Sequence, residues 1–215
     1  MEHLYKVNEI FKSIEGEGIR TGLPCTFIRL YGCNLCCKYC DTRYSCENKE
    51  FTLMTKDEIV NKVKELGGSR VTITGGEPLL DLFLNELIIA LRKEHIEVNI
   101  ETNGSLDIQW CLADIITMDY KTSASGMEDR MMLSNLKALK ETDVLKFVVG
   151  SKHDLDTMKR IIEEYEPECR IYVSPVFGMI EAHELVEYVL ENNLDNVTVQ
   201  VQLHKIIWDP NKRGV

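Results

Sequence analysis

The stretch Thr26-Phe27-Ile28-Arg29-Leu30-Tyr31-Gly32-Cys33-Asn34-Leu35-Cys36-Cys37-Lys38-Tyr39-Cys40 carries the reading that decides the fold. Its first five residues read as a buried strand, and Gly32 releases the chain into a loop holding four of the eight cysteines. Taken as Cys33, Cys37 and Cys40, the thiols read C-x3-C-x2-C, too close in sequence for an ordinary disulfide framework. Three thiolates suit a four-iron cluster that keeps one iron open to a small molecule. Cys33/Cys36 and Cys37/Cys40 also form two C-x-x-C pairs, a zinc-type set that lacks the spacer by which two pairs converge. Reactive or incidental thiols are the third reading.

The remaining cysteines, Cys25, Cys46, Cys111 and Cys169, are scattered without pairing logic, and residues 1–6 carry no apolar signal core, so a cytoplasmic, reducing setting is expected. The longest apolar candidate, near residues 84–91, is broken by Asn85 and Glu86 and falls short of the ~18 residues of a membrane helix. A formal charge of -10 opposes a phosphate-backbone partner. Neither nucleic acid nor membrane is an expected partner. The length of 215 residues suits one domain over 1–215.

Past a short lead at 5–11, the spacing of apolar residues predicts strands at 26–30, 69–74, 97–102, 114–120, 144–149, 170–173 and 197–203. Helices are expected from Thr55, with Glu58 completing a capping box, to Gly67, and at 79–95, 127–139, 155–165 and 181–192. Such alternation implies an α/β fold with a mainly parallel sheet. Seven strands with about five helices fall short of eight β/α units, so the expectation is a partial, open β/α barrel. Ligands of such folds sit at the C-terminal ends of the strands, where Cys33 to Thr42, Thr74 to Glu77, Glu101 to Asn103, Lys121 to Ser125 and Ser174-Pro175 all fall.

Gly75-Gly76-Glu77-Pro78 leaves a strand for a helix; its glycines permit close backbone approach and Glu77 offers an acceptor for an ammonium group. With the cysteine loop, this turn resembles the radical S-adenosylmethionine superfamily. The resemblance narrows on S-I-E-G-E-G at 13–18, F-I-R-L-Y-G-C-N at 27–34, C-D-T at 40–42, T-G-G-E-P at 74–78, E-T-N-G at 101–104, D-Y-K-T-S-A-S-G-M at 119–127 and Q-L-H-K at 202–205. In that order, and over nearly the whole chain, these are similar to the 7-carboxy-7-deazaguanine synthase family.

That resemblance implies a radical SAM enzyme of the partial-barrel type. Its activity would convert 6-carboxy-5,6,7,8-tetrahydropterin to 7-carboxy-7-deazaguanine with loss of ammonia, on the route to queuosine and other 7-deazapurines. It implies a [4Fe-4S] cluster on Cys33, Cys37 and Cys40, S-adenosyl-L-methionine as cofactor, and Mg2+ at Thr42. No side chain is singled out as catalytic, because the cofactor-derived radical starts the reaction by taking hydrogen from C6 of the pterin.

Cofactor contacts would come from Tyr39, Cys40, Asp41, Gly76, Glu77, Glu101, Asn103, Lys121, Thr122, Ser123, Ser174, Pro175, Val176 and Phe177. Substrate contacts would come from Ile14, Glu15, Gly16, Glu17, Arg29, Thr74 and His204. The carboxylates suit the N–H donors of the pterin edge, and Arg29 suits its carboxylate. The family more often carries Gln where Glu15 stands. An electron donor such as flavodoxin or ferredoxin and a homodimer are further implications. Two rival readings are an activase of a glycyl-radical enzyme, which shares the cysteine spacing, and a non-enzymatic zinc-binding module.

Overall fold

The computed structural model describes residues 2–47, 49–210 and 212–215. In chain order it comprises β1 (Tyr5–Ile14), β2 (Pro24–Leu30), β3 (Thr52–Met54), α1 (Lys56–Leu66), β4 (Arg70–Gly75), α2 (Leu84–Lys93), β5 (Glu97–Thr102), β6 (Ile115–Tyr120), β7 (Val144–Val149), α3 (Lys152–Tyr165), β8 (Arg170–Pro175), α4 (Ala182–Glu191), β9 (Val197–Val199) and α5 (Leu203–Ile207). The strands form one sheet ordered β3-β1-β2-β4-β5-β6-β7-β8-β9. From β2 through β9 every neighbouring pair is parallel, while β1 runs antiparallel to both β2 and β3. The end strands β3 and β9 do not pair, so the sheet stays an open partial barrel as expected.

Side chains alternate along each parallel strand between two faces. Ile28 and Leu30, Val71 and Ile73, Val98 and Ile100, Ile116 and Met118, and Leu145, Phe147 and Val149 join the apolar core shared with the helices. The residues between them, among them Arg29, Thr72, Thr74, Asn99, Glu101, Thr117, Asp119 and Lys146, fall on the opposite, concave face. That interior face is polar and cross-linked: Thr117 Oγ1 donates to Asn99 Oδ1 at 3.1 Å, and Asn99 Nδ2 to Thr72 Oγ1 at 3.3 Å.

The structure departs from the expected elements at five places. Residues 5–11 are not a lead but most of β1, whose pairing with β2 sets Glu9 opposite Arg29. The short strand β3 was also unforeseen, since three residues carry too little periodicity. The helix expected at 79–95 is split into a 3-10 turn Pro78–Leu80 and α2, because Asp81 Oδ1 accepts from Phe83 N at 3.0 Å and restarts the chain. Residues 127–139 form only the 3-10 turns Glu128–Arg130 and Leu133–Lys137. There Gly104 O takes Met132 N at 3.1 Å and Asn135 Nδ2 at 3.2 Å, diverting the segment to partners across the fold. Finally β9 ends at Val199, and His204 sits on α5 rather than on a strand.

The capping box at α1 is present: Thr55 Oγ1 accepts from Glu58 N at 3.2 Å and Glu58 Oε2 accepts from Thr55 N at 2.8 Å. Thr55→Ala is expected to cost about 1 kcal/mol in a urea melt while leaving turnover unchanged, since α1 lies outside the concave face.

Candidate functional site

A cavity of about 550 Å³ opens at the C-terminal ends of the parallel strands. The loops after β1, β2, β4, β5 and β6 reach it, as do the concave face of β7 and the segment after β9.

The cysteine loop is pinned to the glycine turn after β4 by backbone contacts. Gly76 N donates to Leu30 O at 3.1 Å, and Glu77 N donates to Gly32 O at 2.8 Å. A Cβ on Gly76 would overlap the Gly32 carbonyl, so only glycine permits this approach. Further anchors are Lys38 N to Ser125 O at 3.0 Å, Asn34 Nδ2 to Ser105 Oγ at 2.8 Å and Tyr39 OH to Val148 O at 3.2 Å. Cys33, Cys36, Cys37 and Cys40 all border the cavity, and none is in a disulfide.

The donor set fits a cluster of several irons. Cys33 Sγ accepts from Leu35 N at 3.5 Å and Asn103 Nδ2 at 3.7 Å, the type of N–H···S contact that tunes cluster thiolates. Burial pushes the Cys33 thiol up to about 11 and raises that of Cys37, against the pull of Lys121, so binding of a metal by either must displace its proton. Among the described residues no three His, Cys, Asp or Glu groups converge as a single ion demands. A cluster is several ions across, so its thiolates need not meet at a point. Thr42 gives no side-chain cap to the 3-10 turn Arg43–Ser45; its Oγ1 lies 3.7 Å from Cys40 Sγ on the cavity wall, where a hard oxygen suits Mg2+.

The E-G-E loop reaches the cavity through Ile14, Glu15, Gly16 and Glu17. Glu15 faces the barrel floor, where its Oε1 accepts from Thr72 Oγ1 and from Arg20 Nη2, the latter at 3.2 Å. Burial raises its carboxyl despite Arg20. Gly16 O accepts from Leu203 N at 3.0 Å, and the His204 imidazole lies where a Gly16 side chain would stand. Burial lowers the His204 imidazole below its ordinary value. Arg29 borders the cavity, but its Nε donates to Glu9 Oε1 at 2.7 Å, and Tyr44 OH donates to the same oxygen at 2.8 Å. Glu9 thus holds the Nε edge of Arg29 across the β1–β2 pair.

Thr74, Gly76, Tyr39, Cys40, Asp41, Glu101, Asn103, Lys121, Val176 and Phe177 also border the cavity. Asp41 is engaged by Lys205 Nζ at 2.9 Å; burial pushes its carboxyl up, but Lys205 brings it below the usual range. Glu77 does not border the cavity. Its carboxylate is 2 % exposed and accepts from Leu79 N at 2.9 Å, Thr102 Oγ1 at 2.9 Å and Asn103 N at 2.7 Å. Three protein donors thus meet the carboxylate expected to accept from an ammonium group, and Gly75 and Gly76 border the cavity beside it. Thr122, Ser123, Ser174 and Pro175 lie behind the wall; Ser123 Oγ donates to Asp154 Oδ1 at 2.7 Å.

Several residues at the cavity went unread in the sequence. Lys146 is buried on the concave side of β7, and Asp119 lies beside it on β6. A lone lysine within V-L-K-F-V-V was a legible signal, because a fully buried parallel strand excludes an unpaired cation. Gln202 and Lys205 also border it, as does the tail Pro210, Lys212, Arg213, Gly214 and Val215. Arg213 stacks 3.8 Å over the Tyr44 ring, which brings this tail to the mouth.

Among known proteins, the Radical SAM superfamily model matches residues 27–166. The chain is 48% identical to 7-carboxy-7-deazaguanine synthase of Clostridium acetobutylicum over 98% of this chain and 99% of the relative. It is 39% identical to the synthase of Chlorobaculum tepidum, covering 97% and 96%, and 35% identical to that of Leptospira interrogans, covering 97% of each. In fold it is similar to the crystal structure of QueE from Escherichia coli, with a TM-score of 0.78 at 23% identity over 94% of this chain and 95% of that one. Streptococcus suis SuiB bound to S-adenosylmethionine aligns with a TM-score of 0.56 at 18% identity, over 81% of this chain and 46% of that one. These relatives support neither the activase nor the zinc-module reading. The chain belongs to the radical SAM superfamily and, within it, to the 7-carboxy-7-deazaguanine synthase family.

Proposed function

We infer that this enzyme converts 6-carboxy-5,6,7,8-tetrahydropterin to 7-carboxy-7-deazaguanine with loss of ammonia, a carbon–nitrogen lyase step in 7-deazapurine and queuosine biosynthesis. The observation that carries this reading is the meeting of the cysteine loop and the E-G-E loop at one polar cavity. Cys33, Cys37 and Cys40 would hold a [4Fe-4S] cluster, which together with bound S-adenosyl-L-methionine would supply the one-electron reductive chemistry for hydrogen abstraction from the substrate. Thr42 is the proposed protein ligand of Mg2+.

The chain's own residues bind, orient and shield. The backbone at Gly75 and Gly76 approaches the cofactor's amino acid end, with Tyr39, Asn103, Lys121, Val176 and Phe177 around the rest. Glu17 receives N–H donors of the pterin, Thr74 hydrogen-bonds it, and Arg29 faces its carboxylate while Glu9 holds the guanidinium in place. His204 closes over Gly16 and keeps water from the E-G-E loop. Gly16→Ala displaces that imidazole, and the expected outcome is a KM for the pterin raised about tenfold with kcat and melting temperature nearly unchanged, read by steady-state kinetics and a thermal melt.

One sheet from residue 5 to residue 199 supports a single domain. No helix among the described residues is long and apolar enough to cross a membrane, and we place the enzyme in the cytoplasm. A flavodoxin or ferredoxin as electron donor and a homodimer complete the proposal. The test is anaerobic incubation of reconstituted protein with the pterin, S-adenosylmethionine and a reductant, followed by mass detection. The deazaguanine and released ammonia are expected; their absence in protein that carries the cluster overturns the reading. Stoichiometric zinc without iron or sulfide in anaerobically purified protein would revive the zinc module.

A further inference from the structure

We propose that Lys146 is a positioning residue that sets the cavity's selectivity for an amino-bearing pyrimidinone, by anchoring Glu17 through one carboxylate oxygen, with Asp119 paired beside it, so that the other Glu17 oxygen is left for the ligand. The proposal deepens the functional reading above and rests on it. Lys146 stands at the middle of β7 with its side chain 7% exposed, and all three residues border the cavity. Its Nζ donates to Glu17 Oε2 at 3.1 Å and lies 3.1 Å from Asp119 Oδ1. Gln202 Nε2 donates to the same Glu17 oxygen at 3.2 Å, and Lys121 Nζ donates to Asp119 Oδ2 at 2.8 Å.

Glu17 is therefore hydrogen-bonded through Oε2 alone, whereas Asp119 is held at both oxygens, Oδ2 by Lys121 and Oδ1 by the ion pair with Lys146. The other Glu17 oxygen, Oε1, is buried without a hydrogen bond, as is the Ser174 hydroxyl near the same carboxylate. Burial pushes both carboxyls up, but Lys146 and, for Asp119, Lys121 bring them below their ordinary values, so both face the cavity as acceptors only. Buried acceptors without donors are costly to maintain and call for a ligand that brings N–H groups.

The exocyclic amine and adjacent ring N–H of an aminopyrimidinone are such donors. The 2-oxo analogue presents a carbonyl oxygen where the amine stood, and the free Glu17 oxygen repels it. Sites built to hydrogen-bond a group reject ligands that lack it far more strongly than apolar pockets do.

Equilibrium binding to the cluster-loaded enzyme, measured for the carboxylated tetrahydropterin and for its 2-oxo analogue, tests the proposal. Wild type is expected to bind the analogue about 100-fold or more weakly. Lys146→Met should weaken pterin binding about 30-fold and shrink the discrimination below about tenfold, with S-adenosylmethionine affinity and cluster absorbance unchanged. Lys146→Arg should restore most of the discrimination. If Lys146→Met does not fold, Lys146→Gln takes its place in the same measurement.

A wild type that forms product yet binds both ligands equally overturns this inference alone. So does a folded Lys146→Met that still discriminates about 100-fold. A wild type that forms no deazaguanine is instead a failure of the functional reading.

Discussion

Cys37→Ala is expected to leave reconstituted protein without the cluster's absorbance at about 400 nm and without turnover, whereas Cys36→Ala keeps both. The neighbouring thiols differ in setting. Cys37 is partly buried, and its carbonyl accepts from Arg43 Nη2 at 3.2 Å, which fixes the backbone from which its thiol projects. Cys36 also borders the cavity but is exposed to solvent. Removing one of three cluster ligands leaves two, too few to hold a cluster with one iron already open. Iron and sulfide content, the visible spectrum and product formation check the pair of variants together. The reverse pattern would reassign the ligand register to Cys33, Cys36 and Cys40.

Gly76→Ala is expected to reduce turnover by more than about 100-fold and to lower stability by about 1–3 kcal/mol through overpacking. The obstacle is space rather than backbone conformation: the added Cβ meets Gly32 O and lies 2.9 Å from Cys33 N. Those atoms are backbone, so no rotamer change relieves the contact. The cysteine loop must move away from β4, and the hydrogen bonds from Gly76 N to Leu30 O and Glu77 N to Gly32 O stretch with it. Cluster content per chain, with a urea melt, separates displacement of the loop from global loss of folding. An alanine variant with wild-type cluster content and activity would mean that the loop tolerates the shift.

Much of the site was legible because its parts are local motifs. Cys33, Cys37 and Cys40 lie within eight residues, and the glycine turn directly follows a readable strand. The roles of individual side chains were less legible. The sequence offered Glu77 as a cofactor contact, and only the structure shows that the turn also brings its carboxylate to donors on β5 and beyond. Arg29 looked short of an anion, yet Glu9 faces it across a strand pair whose first strand was read only as a lead. The polar alternation in V-T-I-T, V-N-I-E-T and I-I-T-M-D-Y was visible and marks a polar concave face, from which Asp119 and Lys146 follow.

By itself, the sequence determined the run of parallel strands, the mouth at which their loops gather, and the thiol set available there. These depend on periodicity and punctuation over about ten residues, where local chemistry dominates. The tertiary structure alone decided that β1 and β3 extend the sheet, that residues 127–139 are not a helix, that His204 covers Gly16, and that the tail reaches the mouth. It also decided that Lys146 meets Glu17, a pair separated by 129 positions. Contacts of that range depend on how strands pair and twist into a barrel, and no local pattern encodes which distant partner a buried charge will find.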